Sequence, residues 1–271
     1  METLIYLKET DSMNTKLIVK DLEMVFDGKR TLNKVNFEVR DGEFLSILGP
    51  SGCGKTTILR ILIGLLEPTG GRVYMDGQDI TDAPPAARSM GIVFQNFALF
   101  ENMTVLQNVE YALKIRKENK SAEAKKRVRE KALVMLEQLG LSEHIHKRPG
   151  MLSGGQQQRV AIARTMVLNP DIILFDEPMS ALDVETRLSL RAELKKIQAT
   201  FGTTMIYITH DQEEAFAMSD RIMVMREANI VQLDTPENIV DHPADEYVKS
   251  FVLRNLEIKI ESLVKYVRTE K

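Results

Sequence analysis

Residues 49–56 read GPSGCGKT and match the pattern G-x-x-x-x-G-K-S/T in full. A short apolar run, residues 43–48, precedes this stretch, and a nearly all-apolar run, residues 57–66, follows it, so a predicted strand and a predicted buried helix flank it. Glycines at these positions allow backbone N–H groups to turn inward around phosphate oxygens. The N-terminus of the helix adds partial positive charge. The sequence therefore predicts a phosphate-binding loop between a strand and a helix, as in an α/β fold.

Three side chains of this loop have specific interpretations. Lys55 is expected to reach the β- and γ-phosphates of a nucleotide, and the Thr56 hydroxyl is expected to bind Mg²⁺. Cys53 is the sole cysteine of the chain, and we interpret it as a small filler of the loop and not as a redox residue. The predicted nucleotide contacts comprise the loop and the residue after it: Gly49, Pro50, Ser51, Gly52, Cys53, Gly54, Lys55, Thr56 and Thr57.

A pair of acids follows another apolar run. Residues 172–177 read IILFDE, which predicts a buried strand that ends in Asp176 and Glu177. Charged residues are rarely buried without a partner or a function. Asp176 can hold the Mg²⁺ shell, and Glu177 can orient and deprotonate a water for attack on the γ-phosphate. Together the two motifs indicate a P-loop nucleoside triphosphatase, and they do not narrow the class further.

The remaining pattern predicts the fold class. Short β-rich runs at residues 172–175 and 204–208 flank a predicted helix. One face of that helix is apolar, and it is formed by Leu190, Leu194 and Ile197. This alternation indicates an α/β P-loop core with a parallel sheet, an antiparallel β portion near the N-terminus and an inserted helical subdomain. The predicted divisions are an extension (1–13), the α/β core (14–95 and 165–240), the helical subdomain (96–164) and a short helical tail (241–271).

Composition argues against several other classes of protein. The net charge of −3 provides no global basic field of the kind that nucleic-acid-binding proteins use. The most basic stretch, residues 114–131, intersperses Lys with Glu and predicts a solvated helix face. No run approaches about 18 apolar residues, and the N-terminus lacks the features of a signal peptide, so we expect no transmembrane helix. A single cysteine excludes an intrachain disulfide and fits a reducing compartment.

A second predicted anion site lies at residues 152–156, which read LSGGQ and precede the helix-like run RVAIARTMVL. Two glycines and a serine at a helix start form a nest of backbone N–H groups. A chain with one phosphate loop has no obvious need for another phosphate site. The nest is explained if it faces a nucleotide that a second copy of the chain holds. The residues concerned are Ser153, Gly154, Gly155 and Gln156.

On these motifs the chain resembles the nucleotide-binding subunits of the ATP-binding cassette (ABC) transporter family, whose signature is LSGGQ. The resemblance extends from about Leu17 to Ala244 and covers most of the chain. It implies that the nucleotide is ATP, bound with Mg²⁺, and that two copies of the chain close on ATP as a dimer. It also implies transmembrane permease subunits as direct partners and, indirectly, a solute-binding protein.

The resemblance assigns roles to four further residues. Gln95, in VFQNFALF, is similar to the Q-loop glutamine, which senses Mg²⁺ and the attacking water and communicates with the membrane subunits. His210 resembles the switch histidine that contacts the γ-phosphate, and Asp183 lies in a segment similar to the D-loop, which crosses the dimer interface. Phe26 stands where the family places an aromatic ring against adenine, although phenylalanine lacks the hydroxyl that a tyrosine would offer there.

Three kinds of ABC protein fit the motifs to different degrees. A soluble ABC ATPase that acts on ribosomes or DNA usually has two cassettes or a long coiled-coil insertion, and neither is visible here. Residues 210–215, HDQEEA, resemble importer subunits, as does the segment after Gln95, which in the family forms the groove for the coupling helix of the membrane subunits. We therefore interpret the chain as the ATPase of an importer for a small polar solute, at the cytoplasmic face of the cell membrane, with an exporter as the alternative.

The C-terminal segment departs from many similar importers, which often carry a further regulatory domain. About 30 residues follow Asp241, so we expect no control by a small molecule bound to such a domain. One apolar helical face is predicted, and it comprises Leu256, Ile260, Leu263 and Val267. We expect one short amphipathic helix that packs on the core or on the second copy.

Overall fold

The computed structural model describes residues 15–115, 121–180, 182–254, 256–258 and 260–261. Its strands are β1 (Thr15–Phe26), β2 (Lys29–Arg40), β3 (Phe44–Leu48), β4 (Gly70–Met75), β5 (Gln78–Asp79), β6 (Met90–Val93), β7 (Ile172–Asp176), β8 (Thr204–Thr209), β9 (Arg221–Arg226) and β10 (Asn229–Asp234). Its α-helices are α1 (Lys55–Ile63), α2 (Val105–Lys114), α3 (Ala122–Gln138), α4 (Gly154–Met166), α5 (Val184–Phe201), α6 (Gln212–Met218), α7 (Pro236–Asp241) and α8 (Glu246–Val248).

The larger of two sheets is mainly parallel and has the strand order β10-β9-β3-β8-β7-β6. Strands β9, β3, β8, β7 and β6 run parallel, and β10 is antiparallel to β9 at one edge. The smaller sheet, in the order β2-β1-β4-β5, is antiparallel throughout. The predicted fold class, an α/β core with an antiparallel portion near the N-terminus, is confirmed.

Both faces of the larger sheet are covered. Because side chains alternate along a strand, Ile172 and Leu174 of β7 belong to a cluster with α1 and the smaller sheet, whereas Ile173 and Phe175 belong to a cluster with α2 to α5. Each fully buried side chain of this size stabilises the fold by about 1.5–3 kcal/mol. The absence of polar alternation in the sequence of β7 therefore reflects its two buried faces.

The helix after β7 has the predicted apolar face. Leu190, Leu194 and Ile197 are buried, and α5 ends at Gly202, whose φ of 61° provides the left-handed C-cap that glycine adopts without strain. The described residues between 96 and 164 form helices and turns, with α2, α3 and α4 packed together. The division of the chain into a core and an inserted subdomain at these boundaries stays a prediction.

The C-terminal segment matches the sequence-based expectation only in part. Leu256 packs against a cluster that includes Ile239, Val248 and Val252. Ile260, one helical turn later, is 58% exposed in the single chain and does not pack on its core, so packing of this face on the second copy stays a prediction. Among the described residues of this segment, Leu256 is the last one that packs against the cluster. Leu263 and Val267, like the predicted extension at residues 1–13, lie outside the described residues.

Candidate functional site

The loop between β3 and α1 has little space for side chains beyond its own. Gly54, the N-cap of α1, has a φ of 111°. A Cβ atom there would lie 2.7 Å from the carbonyl oxygen of Thr31. A Cβ atom on Gly49 would lie 2.7 Å from Sγ of Cys53. Glycine is thus required at both ends of the loop, and the thiol of Cys53 fills the space under it, as the interpretation of Cys53 as a filler predicts.

Lys55 is the first residue of α1, and its side chain folds back over the loop. It is 5% exposed, and its Nζ donates to the carbonyl oxygens of Gly49 (2.7 Å) and Pro50 (3.0 Å). An ammonium group has three donors, so two of them are used on main-chain oxygens of the loop. The positive charge is therefore held at the position that a phosphate bound in the loop would face.

Thr56 and Asp176 bring two oxygen ligands together. The Thr56 hydroxyl donates to Oδ1 of Asp176 over 3.1 Å, across the gap between α1 and β7. Burial raises the pKa of Asp176 above its ordinary value, against the opposing effect of the Thr56 hydrogen bond, and the nearby charge of Glu177 raises it further. Hydroxyl and carboxylate oxygens are the ligands that Mg²⁺ prefers, and a cation here would offset the cost of the buried carboxylate. The pair fits the predicted metal role.

Glu177 occupies a strained position at the end of β7. Its φ is 46°, in the left-handed region that costs a residue with a side chain on the order of 1 kcal/mol. Its backbone N–H donates to the carbonyl oxygen of Ile208 over 3.1 Å, which holds the end of β7 against β8. Oε2 of Glu177 lies 3.1 Å from Nδ1 of His210. Because an ionised carboxylate only accepts, Nδ1 carries the hydrogen in this contact.

Gln95 lies beside the same pair through a serine. Its Nε2 donates to Oγ of Ser180 over 2.9 Å, and Oγ of Ser180 donates to the carbonyl oxygen of Glu177 over 3.0 Å. The sequence analysis predicted no role for Ser180 in orienting Gln95. The structure therefore places Gln95, Glu177 and His210 together at the carboxyl ends of β6, β7 and β8, next to the Thr56–Asp176 pair.

Phe26 and Asp183 lie on other elements. Phe26 ends β1 opposite Lys29 of the neighbouring strand, and its ring is 42% exposed and free to stack against a flat group. Asp183 caps α5, and its carboxylate accepts from the backbone N–H (2.9 Å) and hydroxyl (2.7 Å) of Thr186. These hydrogen bonds lower the pKa of Asp183. The carboxylate is therefore ionised, and its hydrogen bonds stabilise the start of its own helix.

The second glycine turn, at the start of α4, is closed by two reciprocal hydrogen bonds. Oγ of Ser153 accepts from the N–H of Gln156 (3.3 Å), and Oε1 of Gln156 accepts from the N–H of Ser153 (3.0 Å). Nε2 of Gln156 also lies 3.1 Å from Nε2 of His144, a contact that the sequence did not indicate. A cavity of about 290 Å³ beside the turn is lined by Ser153, Gly155, Gln156, Arg159, Glu185, Thr186, Ser189 and Leu190.

Two separate cavities lie among these candidate site residues. Glu177 and His210 line a small cavity of about 40 Å³, together with Ser180, Arg187, Thr209, Asp211 and Glu214. The cavity at the second turn belongs to α4 and α5 alone. No residue that lines one of these two cavities lines the other.

A third, larger cavity of about 680 Å³ lies between α1, α2, β6 and α4. Arg164 holds the loop at its edge, since its guanidinium donates to the carbonyl oxygens of Phe97 (2.9 Å) and Ala98 (2.6 Å). Much of the lining is apolar, and it includes Ile92, Phe94, Phe100, Tyr111, Ile115 and Leu168. The segment after Gln95, which the family resemblance implied to form a groove, contributes Ala98 and Phe100 to this wall. In the part of the chain that the structure describes, no helix is both long enough and apolar enough to cross a membrane.

Three comparisons with known proteins bear on this arrangement. The family model described as ABC transporter matches residues 32–180, more than half of the chain. The spermidine/putrescine import ATP-binding protein PotA of Marinobacter nauticus is 46% identical over 238 residues, which cover 88% of this chain and 62% of that protein. This chain spans about 60% of the length of the first curated relatives that it matches.

Two solved structures are also similar. The dimeric structure of the ATP-binding cassette MJ0796 in a post-hydrolysis state, bound to ADP and Pi, has a TM-score of 0.70 and 35% identity. The match covers 81% of this chain and 98% of that chain. CbiO1 from Clostridium perfringens, part of the ABC transporter complex cbiONQ, has a TM-score of 0.77 and 27% identity. That match covers 94% of this chain and 99% of that chain.

Proposed function

The chain belongs to the ABC transporter family, and from this membership we propose that it is the ATP-hydrolysing subunit of an importer. The observation that carries the proposal is the convergence of two pairs at one edge of the sheet. Thr56 and Asp176 meet at 3.1 Å, and Glu177 and His210 meet at 3.1 Å on the adjacent strand ends. An oxygen-rich metal position thus lies next to an acid–histidine pair, directly beside a phosphate loop. This is the set of groups that phosphoryl transfer to water requires.

ATP binds with its phosphates in the loop and its adenine against Phe26. Lys55 contacts the β- and γ-phosphates, while Thr56 and Asp176 would hold Mg²⁺, which would supply positive charge against the phosphates. Glu177 orients a water in line with the γ-phosphate and accepts its proton. His210 contacts the γ-phosphate, and the hydrogen bond from its Nδ1–H to Glu177 fixes the two side chains relative to each other. Gln95, which donates to Ser180, would sense the metal and the water.

The second turn supports a dimeric mechanism. Ser153 and its neighbours lie on α4, in a cavity that does not include the phosphate loop. Two copies arranged head to tail bring the turn of one copy onto the nucleotide of the other, with Asp183 near the interface. ATP then joins two surfaces, and its hydrolysis removes the bridging γ-phosphate and reopens the dimer. A chain of this family that is dimeric with ADP and Pi is a structural relative.

Transmembrane permease subunits are the proposed direct partners, and the cavity of about 680 Å³ beside Gln95 is the proposed contact. Its apolar lining suits an amphipathic helix of a partner. The protein then lies peripherally at the cytoplasmic face of the membrane, a solute-binding protein acts indirectly, and nucleic acid is not a partner. Since relatives are named for spermidine/putrescine import, we propose a small polar solute and rank the polyamines first.

Two measurements test the proposal. The purified chain should release phosphate from MgATP, and the Glu177→Gln variant should not. In cells that lack the gene, uptake of labelled spermidine should be restored by the wild type and not by Lys55→Ala. Restored efflux, with no gain of uptake for any polyamine, would favour the exporter. A pure chain that binds MgATP but never hydrolyses it, even with its permeases, would overturn the proposed activity.

A further inference from the structure

The segment after the switch histidine contains a buried acid that the proposed chemistry does not use. Glu214 is 4% exposed and lies in the first turn of α6. Burying a carboxylate is costly unless it is hydrogen-bonded, so its position calls for an explanation. We propose that Glu214 is a positioning residue that holds His210 in its working position. The proposal rests on the ATP hydrolysis proposed above.

Two hydroxyl groups of β8 converge on one oxygen of Glu214. The hydroxyls of Tyr207 and Thr209 each donate to Oε2 over 2.8 Å. Tyr207 is fully buried, and its ring packs on Phe44 and Phe175, so its hydroxyl is fixed in place. Burial raises the pKa of Tyr207 well above its ordinary value, and the charge of Glu214 adds to the effect, so the phenol keeps its proton and remains a donor.

The direction of these bonds determines the geometry around His210. A hydroxyl has one hydrogen, and that of Thr209 is used on Glu214. The lone pairs of its oxygen are then free to accept, and they do accept from the N–H of Asp211 over 3.0 Å. Thr209 precedes His210 and Asp211 follows it, so the backbone on both sides of the histidine is held through one carboxylate. An acceptor-only group at position 214 enforces this polarity, which an amide does not.

These hydrogen bonds of Glu214 affect the contact between Glu177 and His210. His210 is itself exposed, with 58% of its side chain accessible, and its Nδ1 meets Glu177 over 3.1 Å. Little packing therefore restrains the ring, and the backbone of Thr209 to Asp211 must set its position. A misplacement of about 1 Å in such a contact can lower turnover by about 100-fold. Glu214 thus acts on hydrolysis through His210, without contacting the nucleotide.

The first test is the substitution Glu214→Gln, which keeps the shape of the side chain. We expect kcat for MgATP hydrolysis to fall by about 10- to 100-fold, with KM and melting temperature close to those of the wild type. Glu213→Gln, on the solvent side of the same turn, is the matched control and should retain wild-type kcat. Thr209→Val should show the same loss, and Thr209→Ser, which restores the hydroxyl, should recover the rate. The Thr209 pair also serves if Glu214→Gln does not fold.

The second test separates positioning from general support of the fold. Single-turnover hydrolysis is measured for His210→Ala with and without Glu214→Gln. If Glu214 acts through His210, the second substitution has no further effect. An equal factor in both backgrounds, an unchanged kcat in Glu214→Gln, or a loss that follows the melting temperature would overturn the inference and leave the proposed function intact. A wild-type chain without MgATP hydrolysis would overturn the proposed function itself, and this inference with it.

Discussion

The two glycine turns at the starts of α1 and α4 have similar sequences and different surroundings. Around the first turn lie an ammonium group, two carboxylates and an imidazole, supplied by α1 and by the ends of β7 and β8. Around the second turn, Ser153 and Gln156 bond to each other, and the walls belong to α4 and α5. A helix N-terminus can bind an anion in either place. The acid and the histidine that would act on a bound nucleotide lie at the ends of parallel strands, and these ends lie beside the first turn. We therefore propose hydrolysis at the first turn and binding alone at the second.

The largest expected effect concerns the acid at the first turn. Glu177→Gln should lower turnover by about 10²–10⁴, the usual scale for a positioned general base. MgATP should still bind, because Lys55, Thr56 and Asp176 are unchanged. Phosphate release is the measurement, and Glu137→Gln, an exposed acid of α3, is the matched control. Hydrolysis by Glu177→Gln near the wild-type rate would remove the distinction between the two turns.

Lys55→Ala separates binding from chemistry at the same turn. Loss of charge-assisted hydrogen bonds to the phosphates should weaken MgATP binding by about 10- to 100-fold. Isothermal titration of the isolated chain measures this dissociation constant. Lys126→Ala provides the control, since 79% of the Lys126 side chain is exposed on α3. If both variants bind MgATP equally well, the phosphate loop does not hold the nucleotide as described.

The second turn should respond differently. Ser153→Ala removes the N-cap of α4, at a cost of about 1 kcal/mol in the free energy of unfolding. Under the proposed dimeric mechanism the turn faces a partner's nucleotide, and MgATP binding to the isolated chain should then not change. In the Glu177→Gln background, however, the nucleotide-dependent dimer should dissociate more readily. A dissociation constant for the isolated chain that rises as far as in Lys55→Ala would place both turns on one nucleotide of one chain.

The smallest effect is the pH dependence that Asp176 contributes. Burial raises its pKa, so the carboxyl keeps its proton at pH values where an exposed aspartate has lost it. Mg²⁺ needs the carboxylate, and MgATP affinity should therefore fall as the pH decreases through this raised pKa. In the ligand-free protein the sign is opposite, because the stabilising contribution of the protonated group is lost as pH rises from about 3.9 through the raised value. Titrations of wild type and Asp176→Asn over a pH series test this, and identical pH profiles would contradict it.

Most of the fold was predictable because patterns that extend over a whole strand or helix encode it. The uninterrupted apolar runs of β7 and β8 predicted strands that are covered on both faces, and the periodicity of α5 predicted its buried side. By contrast, β6 is short and carries Gly91. It is a strand because it pairs with β7, so the local sequence did not indicate it. The exposure of Ile260 depends on which residues the C-terminal cluster reaches, and the periodicity of the sequence carries no information about that.

The candidate site was predictable as a set of residues and not as a set of contacts. Motif spacing pointed to Lys55, Asp176 and His210, and the structure places these residues at one sheet edge. No pattern joins His144 to Gln156, twelve residues later, because loop geometry determines that contact. The bonds of Glu214 with Tyr207 and Thr209 follow from α6 folding back on β8. The sequence shows that Glu214 follows His210 by four residues, but only the fold shows that Glu214 is buried against β8.

In the proposed mechanism one nucleotide site needs both turns, each from a different copy of the chain. Light scattering of Glu177→Gln with and without MgATP tests it most directly, because this variant should bind ATP and not cleave it. We expect a mass of one copy, 30.8 kDa, without nucleotide and twice that mass with MgATP. A variant that is saturated with MgATP and inactive, yet keeps the mass of one copy even with permeases present, would contradict it.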